Sequence, residues 1–318
     1  MGTRSNPHVV SVSIGSSSRD TSQEITLLGR TVTVERIGTD GDMQAAARLI
    51  RELDGKVDAI GLGGIDIYLQ ALGRRYYLRD AVRLAANARV TPVVCGAALK
   101  DTLERVVVDE LDPVIGWRDR KVLMVAGVDR FGMAEALDQY GADVLYGDMI
   151  FALGLPIRLR SLKQLARAAR LLLPVISRLP FKWIYPTGAK QTTASEGGKA
   201  HYFDWAEVIA GDFHYIRRYA PADLSGKTIL TNTTTSDDVS QLRQRGLRRL
   251  ITTTPRYQGR SLPTNLLEAA LIAIAGRHPL SPDDYRRLIS EAELGPDIMN
   301  LDRSGQAAPS PEPAEAHH

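Results

Sequence analysis

A chain of 318 residues with 44% hydrophobic content is long enough to bury a sizeable core and to divide into two domains. Forty basic residues against 37 acidic ones leave a formal charge of +3, so the overall balance gives no reason to expect nucleic acid as a partner. One cysteine, Cys95, excludes an internal disulfide framework and a multi-cysteine zinc site, and the six histidines are scattered, so no metal motif emerges.

The N-terminal apolar run is too short for a signal peptide and no stretch approaches 18 consecutive apolar residues, so the expected location is the cytoplasm. His8 to Ile14 has the β-branched alternation of a strand and runs into a Gly15-Ser-Ser-Ser turn. Glu24 to Leu28 and Thr31 to Ile37 predict a hairpin around Gly29-Arg30, hence a mixed sheet. Asp42 to Leu53 has helical spacing. Asp58 to Gly64 is a buried strand whose glycine-rich end before Asp66 fits either a ligand edge or a tight corner. A helix over Asp80 to Ala88, a short strand over Pro92 to Cys95 and a helix over Leu99 to Leu111 complete an α/β unit, residues 1–117. Cys95 reads as a small buried hydrophobe rather than a nucleophile. Asp112 to Asp119 is the expected linker.

The second unit, residues 118–302, opens with the apolar strand Val122 to Val128, a turn, a short helix after Gly132 and a second strand, Val144 to Tyr146. In such a β-α-β unit the helix N-terminus offers free N–H groups and a positive dipole end, so a pyrophosphate is expected at Gly127, Asp129, Arg130 and Gly132. Asp148, 21 residues after Gly127, is placed to accept hydrogen bonds from an adenosine ribose. The run Gly127-Val-Asp-Arg-Phe-Gly132 lacks the middle glycine of G-x-G-x-x-G, which leaves a packing-only turn as the alternative. The expected cofactor is NAD, because a carboxylate repels a 2′-phosphate, with NADP as the second choice.

Residues 149–195 contain eight Lys or Arg and no Asp or Glu. Leu162, Leu165, Ala166, Ala169, Leu172, Leu173 and Ile176 form a helical apolar stripe there, with Lys163, Arg167 and Arg170 off it. Such a helix docks either on its own sheet or on a membrane surface or acidic carrier protein. Strands follow at Val208 to Asp212, Thr228 to Thr233 and Leu250 to Thr254, with a helix over Asp237 to Arg245 capped by Ser236. The total is a doubly wound, Rossmann-like parallel sheet preceded by a smaller α/β domain with a mixed sheet. Its ligand edge is expected to carry Thr231, Asn232 and Thr252 toward the cofactor, and Thr233, Thr254, Arg260, Ser261 and Asn265 toward a substrate. An apolar helix spans Pro263 to Ala275, and 303–318 reads as a disordered tail.

With Gly127-Val-Asp-Arg-Phe-Gly132, Tyr185-Pro-Thr-Gly-Ala-Lys-Gln191, Gly211-Asp-Phe-His-Tyr-Ile-Arg217, Thr231-Asn-Thr-Thr-Thr235 and Ile251-Thr-Thr-Thr-Pro255 in view, the chain resembles a bacterial family labelled quinate 5-dehydrogenases, over residues 8 to 276. The resemblance implies NAD-dependent oxidation of a cyclohexane hydroxy acid. Quinate and shikimate dehydrogenases use a lysine in an Asn-Val-Thr-x-Pro-x-Lys loop paired with an aspartate, and residues 1–117 hold no such loop. Lys190 with Asp212 is the expected proton-handling pair instead. The alternatives are a non-catalytic nucleotide- or ligand-binding regulatory protein, and an enzyme acting on lipid or carrier-bound substrates through 149–195. Copies of the chain are expected to associate.

Overall fold

The computed structural model of the chain describes residues 6–180, 199–257 and 260–302. Its first lobe begins with β1 (His8–Ser13), β2 (Thr21–Leu27) and β3 (Arg30–Gly38). The hairpin joining β2 to β3 pairs Leu27 with Arg30, so its loop is Leu28-Gly29, one residue earlier than the composition suggested. Both loop residues have positive φ, 52° and 68°, as the two-residue turn that matches strand twist requires. Then come α1 (Met43–Leu53), capped by Asp42, β4 (Ala59–Gly63), the hairpin β5 (Tyr68–Ala71) and β6 (Arg74–Tyr77), α2 (Arg79–Ala85) and β7 (Val93–Val94). The first sheet runs β2-β3-β1-β4-β7, with only β2 antiparallel.

α3 (Ala97–Ile115) carries the chain from the first sheet to the second. It continues four residues past the expected helix end, through Pro113, so the anticipated linker from Asp112 is partly the last turn of this helix. The second lobe comprises β8 (Lys121–Met124), α4 (Phe131–Gln139), β9 (Asp143–Tyr146), α5 (Leu162–Ile176), α6 (Ala200–Trp205), β10 (Val208–Ala210), α7 (Phe213–Tyr219), β11 (Thr228–Thr231), α8 (Ser236–Gln244) and β12 (Arg249–Thr252). A small hairpin, β13 (Arg256–Tyr257) and β14 (Arg260–Ser261), precedes α9 (Thr264–Ala275), α10 (Pro282–Glu291) and β15 (Asp297–Asn300). The sheet order is β15-β12-β11-β10-β8-β9, with β15 antiparallel at the edge.

The structure is therefore a two-domain α/β fold built on parallel sheets, as the strand and helix periods predicted. Counted in chain order, the parallel strands of the second sheet lie 2-1-3-4-5, and those of the first (β3-β1-β4-β7) lie 2-1-3-4. Each sheet thus reverses its winding once, between β1 and β4 and between β8 and β10. The carboxyl ends at such a reversal splay apart and leave a crevice.

The placement of α9 was not expected. It follows the second sheet in sequence but packs on the first, against β1, β3 and β4. Leu266, Leu267, Ala269, Ala270, Leu271 and Ile272 are all buried, and a helix apolar on every side needs neighbours all round. Its first turn sits so close to β4 that a Cβ on Gly61 would meet the Asn265 carbonyl oxygen at 2.8 Å. One core layer, Val10, Val12, Ile60 and Leu62 with Ala46, Ile50 and Leu84, fills the other face of the first sheet. Among the described residues no helix is long and apolar enough to cross a membrane.

Candidate functional site

Charged side chains from just after β4, β8 and β10, the strands beside the two winding reversals, meet those of α3. Lys100, one turn into α3, places its Nζ 2.8 Å from Asp129, just after β8, and 3.6 Å from Asp66, just after β4. One helical turn on, Glu104 pairs with Arg130, also just after β8. The other guanidinium nitrogen of Arg130 approaches Asp212, just after β10, at 3.8 Å. Asp212 caps α7 by accepting from the His214 N–H at 2.8 Å, and Asn232 donates to its second oxygen at 3.3 Å. Four carboxyl groups thus surround two cations.

Burial sets how these groups titrate. Arg130 and Glu104 are 2% and 1% exposed, and burial pushes the Glu104 carboxyl up to about 7 against the pull of Arg130 and Lys100. Burial also works against the charge on Lys100, but Asp129 and Asp66 outweigh it and hold the ammonium above the ordinary lysine value. At Asp212 burial acts upward, and His214 and Arg130 reverse it, leaving the carboxyl below its usual range. Tyr215 is pushed up by burial, with Asp212 and Asp129 adding to the effect. Despite the pairing, Glu104 Oε2 and Arg130 Nε have no hydrogen-bond partner among the described residues.

A small pocket opens beside the cluster, lined by Tyr68, Gln70, Ala97, Asp101, Asp129 and Arg130. Gln70, on the β5–β6 hairpin, donates to Asp101 at 2.8 Å and ties the pocket wall to α3. As it stands the pocket admits about one water molecule.

The expected pyrophosphate turn has a different occupant. Asp148 does not face outward to a ribose: its two carboxylate oxygens accept from the Gly127 N–H at 3.0 Å and the Val128 N–H at 2.8 Å. A carboxylate therefore sits where a phosphate would bind, and burial pushes it up to about 6 although those N–H bonds pull it down. Val128–Arg130 form a 3-10 turn before α4. Asp129 and Arg130 turn toward α3 rather than toward a phosphate, and a Cβ on Gly132 would lie 2.5 Å from the Asp101 carbonyl oxygen. The residues of this turn do not fit a dinucleotide.

Several further residues expected at a ligand hold the scaffold instead. The Thr231 hydroxyl donates to the Gly211 carbonyl at 2.7 Å, Thr252 to Thr254 at 3.0 Å and Thr254 to Leu262 at 2.7 Å. The Ser261 hydroxyl accepts from the Thr234 N–H at 2.7 Å. All four residues are fully buried. Asn265 donates to Ser11 at 2.6 Å and fastens α9 to the first sheet. Asn232 and Thr233 remain half-buried at the edge of the second sheet, beside Asp212. Lys190 and the Arg260 side chain lie outside the described residues.

Sequence reasoning named Asp129, Arg130, Asp212 and Asn232, but missed Lys100 and Glu104. Their signal was present: two opposite charges four residues apart inside the apolar stripe Leu99, Leu103, Val107, Val108 and Leu111, where solvated charges do not belong.

A family model described as "Domain of unknown function (DUF8754)" matches residues 98–301, and one described as "Domain of unknown function (DUF8753)" matches residues 8–95. No curated protein matches the chain. Among solved structures, the chain is similar to a sugar ABC transport system substrate-binding protein from Bordetella parapertussis 12822, at 13% identity and a TM-score of 0.36, over 97% of this chain and 95% of that one. It is also similar to an ABC transporter periplasmic solute binding protein from Actinobacillus succinogenes 130z with bound D-allose, at 11% identity and a TM-score of 0.36, over 93% and 98%. Hetero-hexameric glutamate dehydrogenase from Thermus thermophilus gives 13% identity and a TM-score of 0.40, over 91% of this chain and 73% of that one.

Proposed function

The chain belongs to the family described as a domain of unknown function, DUF8754, and we propose that it binds a small, hydroxyl-rich molecule in the crevice between its two sheets. The observation that carries this reading is the unfinished hydrogen bonding of the buried Glu104–Arg130 pair. A buried acceptor, Glu104 Oε2, and a buried donor, Arg130 Nε, stand without partners, and each such group costs roughly 1–3 kcal/mol. Arg130 lines the small pocket and Glu104 lies behind it, so a ligand reaches the pair only by widening that pocket; a hydroxyl, which both donates and accepts, then satisfies the two atoms together. Tyr68, part-buried in the pocket lining with Asp129 and Arg130, adds an aromatic side chain of the kind that packs on a carbohydrate.

Charge selects further. With four carboxyl groups around two cations, an anionic ligand such as quinate meets net repulsion, while a neutral or amine-bearing one does not. Catalysis at a hydroxyl would need a base, and Lys100 is held protonated by Asp129 and Asp66, which makes it a donor that orients a ligand rather than a group that removes a proton. NAD-linked oxidation has no seat at the β8–α4 turn while Asp148 holds its N–H groups.

The test is a thermal-shift screen of the intact protein against neutral sugars, amino sugars, cyclitols, quinate, shikimate and NAD. Sugars or cyclitols should raise the melting temperature, and the shift should vanish in Asp129→Asn, whose side chain is partly exposed and whose loss spares the core. Stabilisation by NAD or by quinate alone, with NAD reduction on adding a hydroxy acid, would replace this reading with the dehydrogenase one.

A further inference from the structure

We propose that the outer edge of the second lobe, residues 153–178, docks on an anionic lipid surface. Half of the large hydrophobic side chains exposed among the described residues fall in this one stretch: Leu153, Leu155, Ile157, Leu171 and Val175. Scattered exposed apolar residues are ordinary, but a cluster of them marks an interaction site. The same stretch carries Arg158, Arg160, Lys163, Arg167, Arg170 and Arg178, and the sequence from Met149 to Pro180 contains no Asp or Glu.

The fold presents these residues outward on a fixed support. Leu159 pairs with Tyr146 on the free side of the edge strand β9, so the chain before α5 runs along the rim of the sheet. α5 is held inward by Leu165, Ala169 and Leu173, all buried. Its opposite face carries Leu171 and Val175, 74% and 59% exposed. These two lie one turn apart, and Arg167 and Arg170 flank them on the solvent side. Among the described residues, Lys163, Arg167, Arg170 and Arg178 have no carboxylate within salt-bridge reach, whereas Arg160 reaches Asp143 at 3.4 Å. Arg158 and Arg160 stack on Tyr202 and Trp205, which orders them and leaves their charge in place.

A bilayer surface complements both features at once: anionic headgroups face the cations, and the headgroup–acyl boundary accepts the protruding Leu, Ile and Val side chains. An acidic protein alone would match the charge and leave Leu171 and Val175 in water. The inference is independent of what the crevice binds, since none of these residues lines it.

Sedimentation of the full chain with vesicles tests it, using phosphatidylcholine with and without phosphatidylglycerol. Binding is expected only to the anionic vesicles and should weaken as salt screens the headgroups. Arg167→Gln with Arg170→Gln should lower partitioning by about fivefold per cation. Leu171→Ser with Val175→Ser should lower it further while the salt dependence remains. All four positions are exposed, so unchanged melting temperatures should certify the variants. No binding to anionic vesicles at low salt would overturn the proposal. So would binding that neither pair of substitutions weakens, equal binding to soluble polyglutamate, or loss of self-association in the Leu171→Ser/Val175→Ser variant, which would make a second copy the occupant.

Discussion

Removing the Arg130 guanidinium is the sharpest probe of the charge cluster. Glu104 is 1% exposed and already lacks a partner at Oε2, so in Arg130→Met it becomes a buried carboxylate facing only Lys100 and other carboxylates. Breaking a buried pair on one side costs about 3–5 kcal/mol. At about 2.1 cal/mol/K per residue the unfolding entropy of a chain this long makes that a fall of roughly 5–8 °C in melting temperature. The loss should depend on pH. Burial has raised the folded Glu104 carboxyl to about 7 from 4.5, and a raised carboxyl contributes stability that is complete below its unfolded value and lost as pH climbs through its folded one. Without Arg130 the folded value rises further, so the gap between wild type and variant should be small near pH 5 and widest at pH 8. Replacing both partners, as Arg130→Met with Glu104→Leu, should recover most of the loss because no buried charge is stranded. Thermal melts at pH 5 and pH 8 decide the matter. A single variant that loses less than about 1 kcal/mol at pH 8, or loses the same at both values, would refute the view that Glu104 is a buried charge held by Arg130.

Asp148 should show the same direction over a lower range. Its carboxyl stands near 6 in the fold against 3.8 in the unfolded chain, so wild-type stability should decline between about pH 4 and pH 6, by roughly 3 kcal/mol at 1.4 kcal/mol per unit; melts of Asp148→Asn should lack that share of the slope, and an unchanged slope would mean the carboxyl titrates normally. Gly132→Ala drives a Cβ to 2.5 Å from the Asp101 carbonyl oxygen, which neither backbone can easily yield, so urea unfolding should reveal a loss of about 1–3 kcal/mol or more; a neutral result would show that α3 and α4 can part.

The fold was legible where the controlling forces are local. Strands β1, β4, β8 to β12 and helices α1, α5, α8 and α9 follow from apolar period, caps and glycine turns, because each depends on residues within a turn or two of one another. The errors at their ends are of the same local kind: α8 is capped by Thr235 rather than Ser236, since Asp238 completes a capping box with Thr235. The β5–β6 hairpin was missed because its strands are four residues each, Tyr-Leu-Gln-Ala and Arg-Arg-Tyr-Tyr, with little alternation to read.

The site was less legible because its residues are joined by tertiary packing. A carboxylate at the end of a second strand is compatible with an outward turn to a ribose or an inward turn to the adjacent loop, and at Asp148 the free N–H groups of Gly127 and Val128 lie 2.8–3.0 Å away. The backbone donors that make a helix start attractive to phosphate attract a nearby carboxylate of the same chain equally well. Likewise the threonine-rich strand ends suggested a ligand edge, but Thr231, Thr252 and Thr254 spend their hydroxyls on carbonyls of their own loops, since buried backbone oxygens need donors before any ligand does. These threonine hydroxyls hold the sheet edges together, and a buried atom without a partner does not by itself mark a site, since the Thr234 and Tyr146 hydroxyls share that condition with Glu104 Oε2 and Arg130 Nε. What sets Glu104 and Arg130 apart is that α3 and the β8 turn bring them to one point as a buried charged pair beside Lys100, Asp129 and Asp212. No spacing within either segment encodes that pair, because it exists only once α3 packs against the β8 turn.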